Sequence, residues 1–306
     1  MANRVCNLCE SPGRLEESPE VARVRCNVRE FAGDMFTVWR CSNCGALHAL
    51  EDIDYGRFYQ HYPVQQQKLD FFTRRLFASR LRELSRAGLT TRHSILDYGC
   101  GNGAFVTYLR RRGYARAEGY DPYSRHHADK AVLDREFDFV VAQDVIEHAP
   151  DPLTLLEQLM ARVHPVHGVL AIGTPDAARL RLAHPLEAIG RLHQPYHRHL
   201  FTASELTRQL EARGFRVTRA VHRWYVDTWF PFLNSSFFFR YTAAAGGVMD
   251  VGFEPIRPGV ILRSPALVFY GLFGRLFQPG KDVLLLATRR GQPAMPRDSS
   301  TPDQKA

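Results

Sequence analysis

Apolar positions in this chain gather into short runs set off by glycine turns and charged helices. The run Ile95–Leu96 leads into Asp97 and then three glycines at alternate positions, Gly99, Gly101 and Gly103. A helical pattern follows, with Phe105 and Leu109 apolar and Arg110, Arg111 and Arg112 charged. Gly113 stops it, and a second short strand ends at Asp121. This order predicts half of a doubly wound α/β unit. Downstream, DFVVAQDV (138–145) is apolar on both faces, as a strand buried in a parallel sheet must be. HGVLAIGTPD (167–176) reads as the next strand, and Thr202 or Ser204 caps a helix that carries Glu205 in its first turn and closes at Gly214. FRVTRAVHRW (215–224) and DVLLLATRR (282–290) read as two further strands.

The flanks of this core have other patterns. Leu69, Phe72, Leu76, Leu81 and Leu84 recur near helical spacing up to Gly88, which predicts a helix ahead of the core. VARVRCNVRE (21–30) and FTVWRC (36–41) alternate as a hairpin does. Between Asp121 and Phe137 the chain has only SRHHADKAVLDRE, too short for a full helix and a full strand, with KAVLD as a stub of strand at most. Residues 224–280 form an insertion rich in aromatics, WYVDTWFPFLNSSFFFRY and then ALVFYGLFGRLF. Long segments inside compact domains are usually covers or interaction surfaces. We expect a cap that makes an apolar wall for a ligand, with a dimer interface or a helix lying on a membrane surface as alternatives. Residues 291–306 have the composition of a disordered tail.

The glycine turn has a specific chemistry. Glycines adopt positive φ and let the backbone lie directly against a ligand. An acid at the end of the next strand, Asp121, can present two oxygens to a ribose diol, and Asp97 is placed to hold an ammonium group. A dinucleotide loop reads GxGxxG and faces a pyrophosphate. Asp97-x-Gly99-x-Gly101-x-Gly103 suits a zwitterionic ligand better. Ligands of open α/β sheets sit at the carboxyl ends of the strands, which brings Gln143, Asp144, Glu147 and His148 to the reaction edge.

At the start of the chain, Cys6-x-x-Cys9 and Cys41-x-x-Cys44 are two knuckles whose four thiolates can close a tetrahedral zinc site. A redox pair is the competing reading. A segment of about 50 residues with few large apolar side chains needs a metal to stay folded, so the zinc is read as structural. Cys26 and Cys100 read as packing residues. The 306 residues carry a net charge of +8, but only four of the 40 basic residues are lysines and no dense basic block occurs. That scatter argues against nucleic acid as the partner. With no apolar leader after Met1 and no run of the roughly 20 apolar residues that crosses a bilayer, and with cysteines in paired metal-type motifs, a cytoplasmic protein is expected.

On these motifs the chain resembles the class I S-adenosylmethionine-dependent methyltransferases. The stretch 94–122 looks like their first motif and the acidic strand end after it. FDFVVAQDVIEHAPDP (137–152), HGVLAIGTPD and HRHLFTASELTRQLEARGF (197–215) resemble the ubiquinone-biosynthesis-like branch, in order, over roughly residues 90–225. The resemblance implies a doubly wound, seven-stranded Rossmann-like sheet. It also implies S-adenosyl-L-methionine held by Asp97, Gly99, Cys100, Gly101, Gly103, Asp121, Pro122, Gln143 and Asp144. The implied organisation is a zinc ribbon over 1–50, a linker and lid helix over 51–90, and the methyltransferase domain over 91–290. In that family the lid helix lies over the cofactor, where Tyr55, Tyr59 or Tyr62 could touch a ligand. The preferred reading is that these aromatics join ribbon to core.

Methyl transfer to oxygen or carbon of a small glycosyl, natural-product or lipid-like acceptor is the implied activity. His148 is the candidate base, with Glu147, His197 and His199 as further catalytic candidates among the four histidines of 177–200. His148 reads equally as a brace for the next helix. Asp144, Glu147 and His148 with His197 or His199 also resemble the carboxylate and imidazole set of small-RNA 2′-O-methyltransferases, which would add a divalent cation such as Mg2+. A non-catalytic cofactor-binding or scaffold protein, which holds the cofactor weakly or not at all, is the remaining alternative.

Overall fold

A computed structural model of the chain describes residues 3–60, 62, 67–222, 228, 230–277 and 282–291. The expected tail beyond residue 291 and the ends of the 224–280 insertion lie outside the described residues. The chain opens with a hairpin of β1 (Val21–Arg25) and β2 (Met35–Arg40), antiparallel in the register Val21↔Trp39 to Arg25↔Met35. β3 (Leu47–Ala49) then pairs with β2. The short helix α1 (Tyr55–Tyr59) is capped by Asp54, and α2 (Phe71–Arg86) by Asp70, whose carboxylate accepts from Thr73 N at 2.9 Å. Gly88 ends the turn after α2 at φ 98°.

The core alternates strands and helices: β4 (Ile95–Tyr98), α3 (Ala104–Arg111), β5 (Ala117–Tyr120), β6 (Phe139–Gln143), α4 (Pro152–Ala161) and β7 (Val169–Pro175). α5 (Ile189–Leu192), β8 (His199–Leu200), α6 (Ala203–Ala212) and β9 (Phe215–Val221) follow. Thr202, rather than Ser204, caps α6. The insertion folds as α7 (Ser235–Ala244), α8 (Pro258–Leu262) and α9 (Pro265–Phe273), and β10 (Asp282–Arg289) completes the sheet.

The order across the large sheet is β5-β4-β6-β7-β10-β9. β5, β4, β6 and β7 are parallel, and β10 runs antiparallel to both β7 and β9. Six strands, not the expected seven, are present among the described residues. The cause is the short interval after Asp121: Lys130–Asp134 turns as a single 3-10 helix beside β5 and forms no strand.

A second departure is larger. The N-terminal sheet takes its fourth strand from the core region, because β8 pairs with β3 in the register Leu47↔Leu200 and His48↔His199. Leu8, Trp39 and Ala46 are buried in the same apolar cluster as Leu96, Phe201 and Leu210. The first 50 residues therefore share a core with the rest.

Arg191 on α5 ties three elements together. Its guanidinium meets the Asp282 carboxylate at the start of β10 at 3.2 Å, with the two side chains only 7% and 6% exposed, and lies 3.9 Å from the ring centroid of Phe239 on α7. Removing one partner of a buried pair strands the other charge. Asp282→Ala should cost about 3 kcal/mol in urea unfolding, whereas breaking the exposed Arg4–Glu16 pair with Arg4→Ala should leave the transition midpoint unchanged.

Candidate functional site

The carboxyl ends of β4, β5 and β6 open into a cavity of about 1290 Å3. That exceeds the roughly 300–1,000 Å3 of a single small-ligand site. One end is the turn after β4. Gly99, Gly101 and Gly103 have φ of 74°, 56° and 77°, and a Cβ on Gly99 would sit 2.3 Å from a Val145 methyl. Only glycine fits there; the backbone of Gly99 and Gly101 lines the cavity, whereas Gly103 is covered by the His127 ring and does not line it.

Asp121 closes this end. Its Oδ2 accepts from Gly101 N at 3.0 Å and its Oδ1 from Tyr123 N at 2.8 Å. Each oxygen keeps a second lone pair. Asp97, 4% exposed, lies in β4, and burial raises its pKa to about 7, with Arg80 opposing the shift and Asp121 adding to it. Gln143 Nε2 donates to Asp144 Oδ1 at 2.8 Å, and Asp144 holds φ at 55°. Cys100 and Pro122 also line the cavity. Burial pushes the Cys100 thiol up, so it stays a neutral packing group.

The other end is built of rings. His148 follows β6, and its Nδ1 lies 2.9 Å from the Tyr59 hydroxyl on α1. The Tyr62 ring lies 5.9 Å from the His148 ring and packs, tilted, with its centroid 4.7 Å from that of Tyr196. His197 Nδ1 is 2.7 Å from the carbonyl of Arg191. A carbonyl only accepts, so this bond assigns the proton to Nδ1 and leaves a lone pair on Nε2.

His193 is assigned by the same reasoning. Asn27 Nδ2 donates to Ile189 O at 3.3 Å, so Asn27 Oδ1 faces His193 Nδ1 at 2.6 Å and accepts from it. His193 Nε2 has no hydrogen-bond partner. Burial lowers all three imidazoles, His148 and His193 well below the usual range and His197 to about 4, so each is neutral at pH 7. α7 supplies the wall between the ends, with Phe237, Phe238 and Tyr241 among its lining residues.

Two catalytic candidates stand elsewhere. Glu147 is fully buried beside His148 and His197 and is not part of the cavity lining. Its Oε1 is 3.9 Å from His197 Nε2, and neither oxygen has a hydrogen-bond partner of good geometry. Burial and then the Asp144 carboxylate raise its pKa well above the usual range, with the Thr174 hydroxyl offsetting only part. His199 is not at the site. As part of β8 it turns to the N-terminal sheet, with its Nδ1 2.9 Å from His48 Nδ1, because side chains of neighbouring strand residues alternate in direction. His193 and Asn27 occupy the place that the sequence reading gave to His199. His193 was legible as one of a histidine cluster, but nothing near Asn27 in the chain signals its role.

Cys6, Cys9, Cys41 and Cys44 form a separate cluster outside the cavity. Cys6 and Cys9 flank one turn, Cys41 and Cys44 the turn from β2 to β3. The sulfurs are 3.6 Å apart for Cys6 and Cys9, 3.8 Å for Cys6 and Cys44, and 3.9 Å for Cys9 and Cys41.

Residues 70–220 match the family described as "Methyltransferase domain". A ubiquinone biosynthesis O-methyltransferase of Dinoroseobacter shibae is 28% identical over 185 residues, covering 52% of this chain and 74% of that one. One from Ruegeria pomeroyi is 28% identical over 122 residues, 33% of this chain and 49% of the relative. Among solved structures, a SAM-dependent methyltransferase from Thiobacillus denitrificans in complex with S-adenosyl-L-homocysteine aligns over 69% of this chain and 90% of that one, with 14% identity and a TM-score of 0.40. The family match falls on the stretch that holds the glycine turn, the acidic strand end and the three imidazoles; residues 70–220 thus carry a class I S-adenosylmethionine-dependent methyltransferase domain, and the protein is a methyltransferase enzyme.

Proposed function

We propose that the cavity takes S-adenosylmethionine at its glycine end and a small acceptor with an apolar part at its ring end, and that the methyl group passes to an acceptor oxygen. The observation that carries this reading is the juxtaposition itself: a bare backbone turn with buried acids faces three neutral imidazoles across one cavity walled by α7. The free lone pairs of Asp121 would take the ribose hydroxyls, Asp97 the ammonium group, and Gly99 and Gly101 the methionine part, with Cys100, Pro122, Gln143 and Asp144 packing around the rest. Methyl transfer is an in-line displacement at a sulfonium, so the chain has to align the nucleophile and accept its proton. His148 is our choice for the proton, with Tyr59 fixing its ring. His193 and His197 are placed to accept hydrogen bonds from the acceptor. The relatives named as O-methyltransferases favour oxygen over carbon.

The four cysteines fit a structural zinc. Zn–S bonds of about 2.3 Å in a tetrahedron require sulfurs about 3.8 Å apart, close to the spacing found. A second, metal-assisted reading is favoured by the unpartnered Glu147 carboxylate between two imidazoles. One carboxylate and two imidazoles suit a first-row transition ion better than the Mg2+ expected from sequence. Such an ion would polarise an acceptor hydroxyl.

Three outcomes test these readings. In calorimetry, Asp121→Ala should weaken S-adenosylmethionine binding by about 2 kcal/mol, roughly thirty-fold; unchanged affinity refutes the cofactor placement, and no binding to the unmodified protein supports a scaffold instead.

Cofactor affinity should rise with pH up to about 7 and level off above. The ammonium group favours the Asp97 carboxylate, which the ligand-free fold keeps protonated below that value. By the same linkage this group makes the ligand-free protein less stable as pH rises from about 4 to 7. Asp97→Asn should flatten both profiles.

Elemental analysis should find one zinc per chain, lost in Cys44→Ala together with several degrees of thermal midpoint. A second metal equivalent that disappears in Glu147→Gln and is needed for activity would favour the metal-assisted version.

A further inference from the structure

Helix α9 shows solvent the face that a helix in a water-soluble protein normally hides. Leu267, Gly271 and Gly274 point inward and are buried. Phe269, Leu272 and Phe273 are 44%, 49% and 49% exposed, and the single 3-10 turn that continues the helix adds Leu276 at 66% and Phe277 at 55%. These positions fall at i, i+3, i+4, i+7 and i+8, one continuous apolar stripe. The stripe is preassembled, since the Phe269 ring packs at 5.5 Å from both Phe273 and Phe277. Five large apolar side chains side by side are not the single scattered hydrophobics that any surface carries.

Two further observations say what covers it. From Pro255 to Phe277 the chain has three arginines, Arg257, Arg263 and Arg275, and no acidic residue. Arg257 and Arg263 are exposed. Arg257 pairs with Glu254 at 2.8 Å, while Arg263 and Arg275 lie along the stripe itself; an apolar stripe with arginines beside it complements an apolar layer beneath anionic headgroups. The stripe also runs to the mouth of the cavity. Phe277, Phe72 and Ile256 each line the cavity and are each at least 42% exposed. Arg75 lies over both Phe71 and Phe230, two more exposed rings that stand 5.1 Å apart on α2 and at the start of the insertion.

We propose that α9 and the turn after it form a docking face for an anionic phospholipid bilayer, which seats the cavity mouth against the lipid. α9 is nine residues long and no described helix can cross a bilayer, so the contact is interfacial. Docking stands apart from methyl transfer. Entry of an apolar acceptor from the lipid side rests on the acceptor reading above.

The test is sedimentation of the full chain with vesicles of phosphatidylcholine alone or mixed equally with phosphatidylglycerol, alongside calorimetry with S-adenosylmethionine. The protein should partition onto the mixed vesicles at least ten-fold better than onto phosphatidylcholine, less so as salt is raised. The double change Leu272→Asp with Phe273→Asp should abolish that binding and leave cofactor affinity unchanged. Leu276→Ser, at an exposed position of the turn, should weaken it several-fold and guards against misfolding of the double variant. Failure to partition onto either vesicle overturns the proposal. So does a dimer in sedimentation velocity that the same substitutions dissociate, because the stripe would then be covered by a second copy. Lost vesicle binding with intact cofactor binding leaves the methyltransferase reading untouched, and the converse leaves the docking face.

Discussion

A strand of two residues holds the site together. When β8 joins β3, it fixes the end of the loop that carries His193 and His197, and three more bonds fasten the same loop. Ala49 N donates to Arg198 O at 2.9 Å, Arg198 N donates to Glu147 O at 2.7 Å, and Asn27 accepts from His193. The N-terminal sheet is thereby a structural part of the ring end of the cavity. β3 in turn begins just after Cys44. The Arg40 guanidinium, on β2, donates to Gly45 O at 2.7 Å and to Ala177 O at 3.1 Å. Whatever steadies the two cysteine turns steadies β3, and through β8 the imidazoles.

Burial then sets the chemistry. The same desolvation that keeps His148, His193 and His197 neutral raises the pKa of Asp97, Asp144 and Glu147. Each group resists charge for want of water, not for want of a partner in sequence. A sulfonium and an ammonium brought into such a place gain from every acid that ionises, and they lose nothing to imidazoles that stay uncharged. The arrangement therefore favours a cationic ligand next to a neutral acceptor. A free thiol such as Cys100, held neutral by burial, does not compete as a nucleophile.

The alternation of strand and helix from Ile95 to Pro175, and the helix and strand that follow Thr202, were legible because each element is local: a run of two to five apolar residues, a cap such as Thr202, a stopping glycine. The glycine turn was legible for the same reason. The pairing of β8 with β3 was not, since its partners are 152 or so residues apart and two residues carry no periodicity. Without it the direction of His199 could not be read, and its neighbours His193 and His197 could not be separated from it. Asn27 belongs to the same class. It sits in an alternating hairpin segment as an ordinary polar residue, and only the fold brings it to Ile189 and His193. The outward stripe of α9 shows the limit from the other side, because an apolar run gives its composition in sequence but not which face the protein covers.

The missing strand shows how a loss at the edge of a sheet is absorbed. Among the described residues no strand lies beyond β5, so that strand is an edge, and edges left bare invite pairing with other chains. Here the 3-10 turn Lys130–Asp134 lies beside β5, and Glu118 of β5 pairs with Arg135. The loop before it folds back onto the glycine turn. Asp121 N donates to His127 O at 2.8 Å, and the His127 ring fills the space that a side chain on Gly103 would need, 2.2 Å from such a Cβ. Tyr123 leaves the same loop to stack 4.7 Å from Tyr59. One short segment thus protects the edge, walls the glycine turn and reaches the ring that orients His148. The contraction of the sheet and the joining of the two ends of the cavity thus run through the same short segment, because the loop that replaces a helix and a strand is the one that carries His127 and Tyr123.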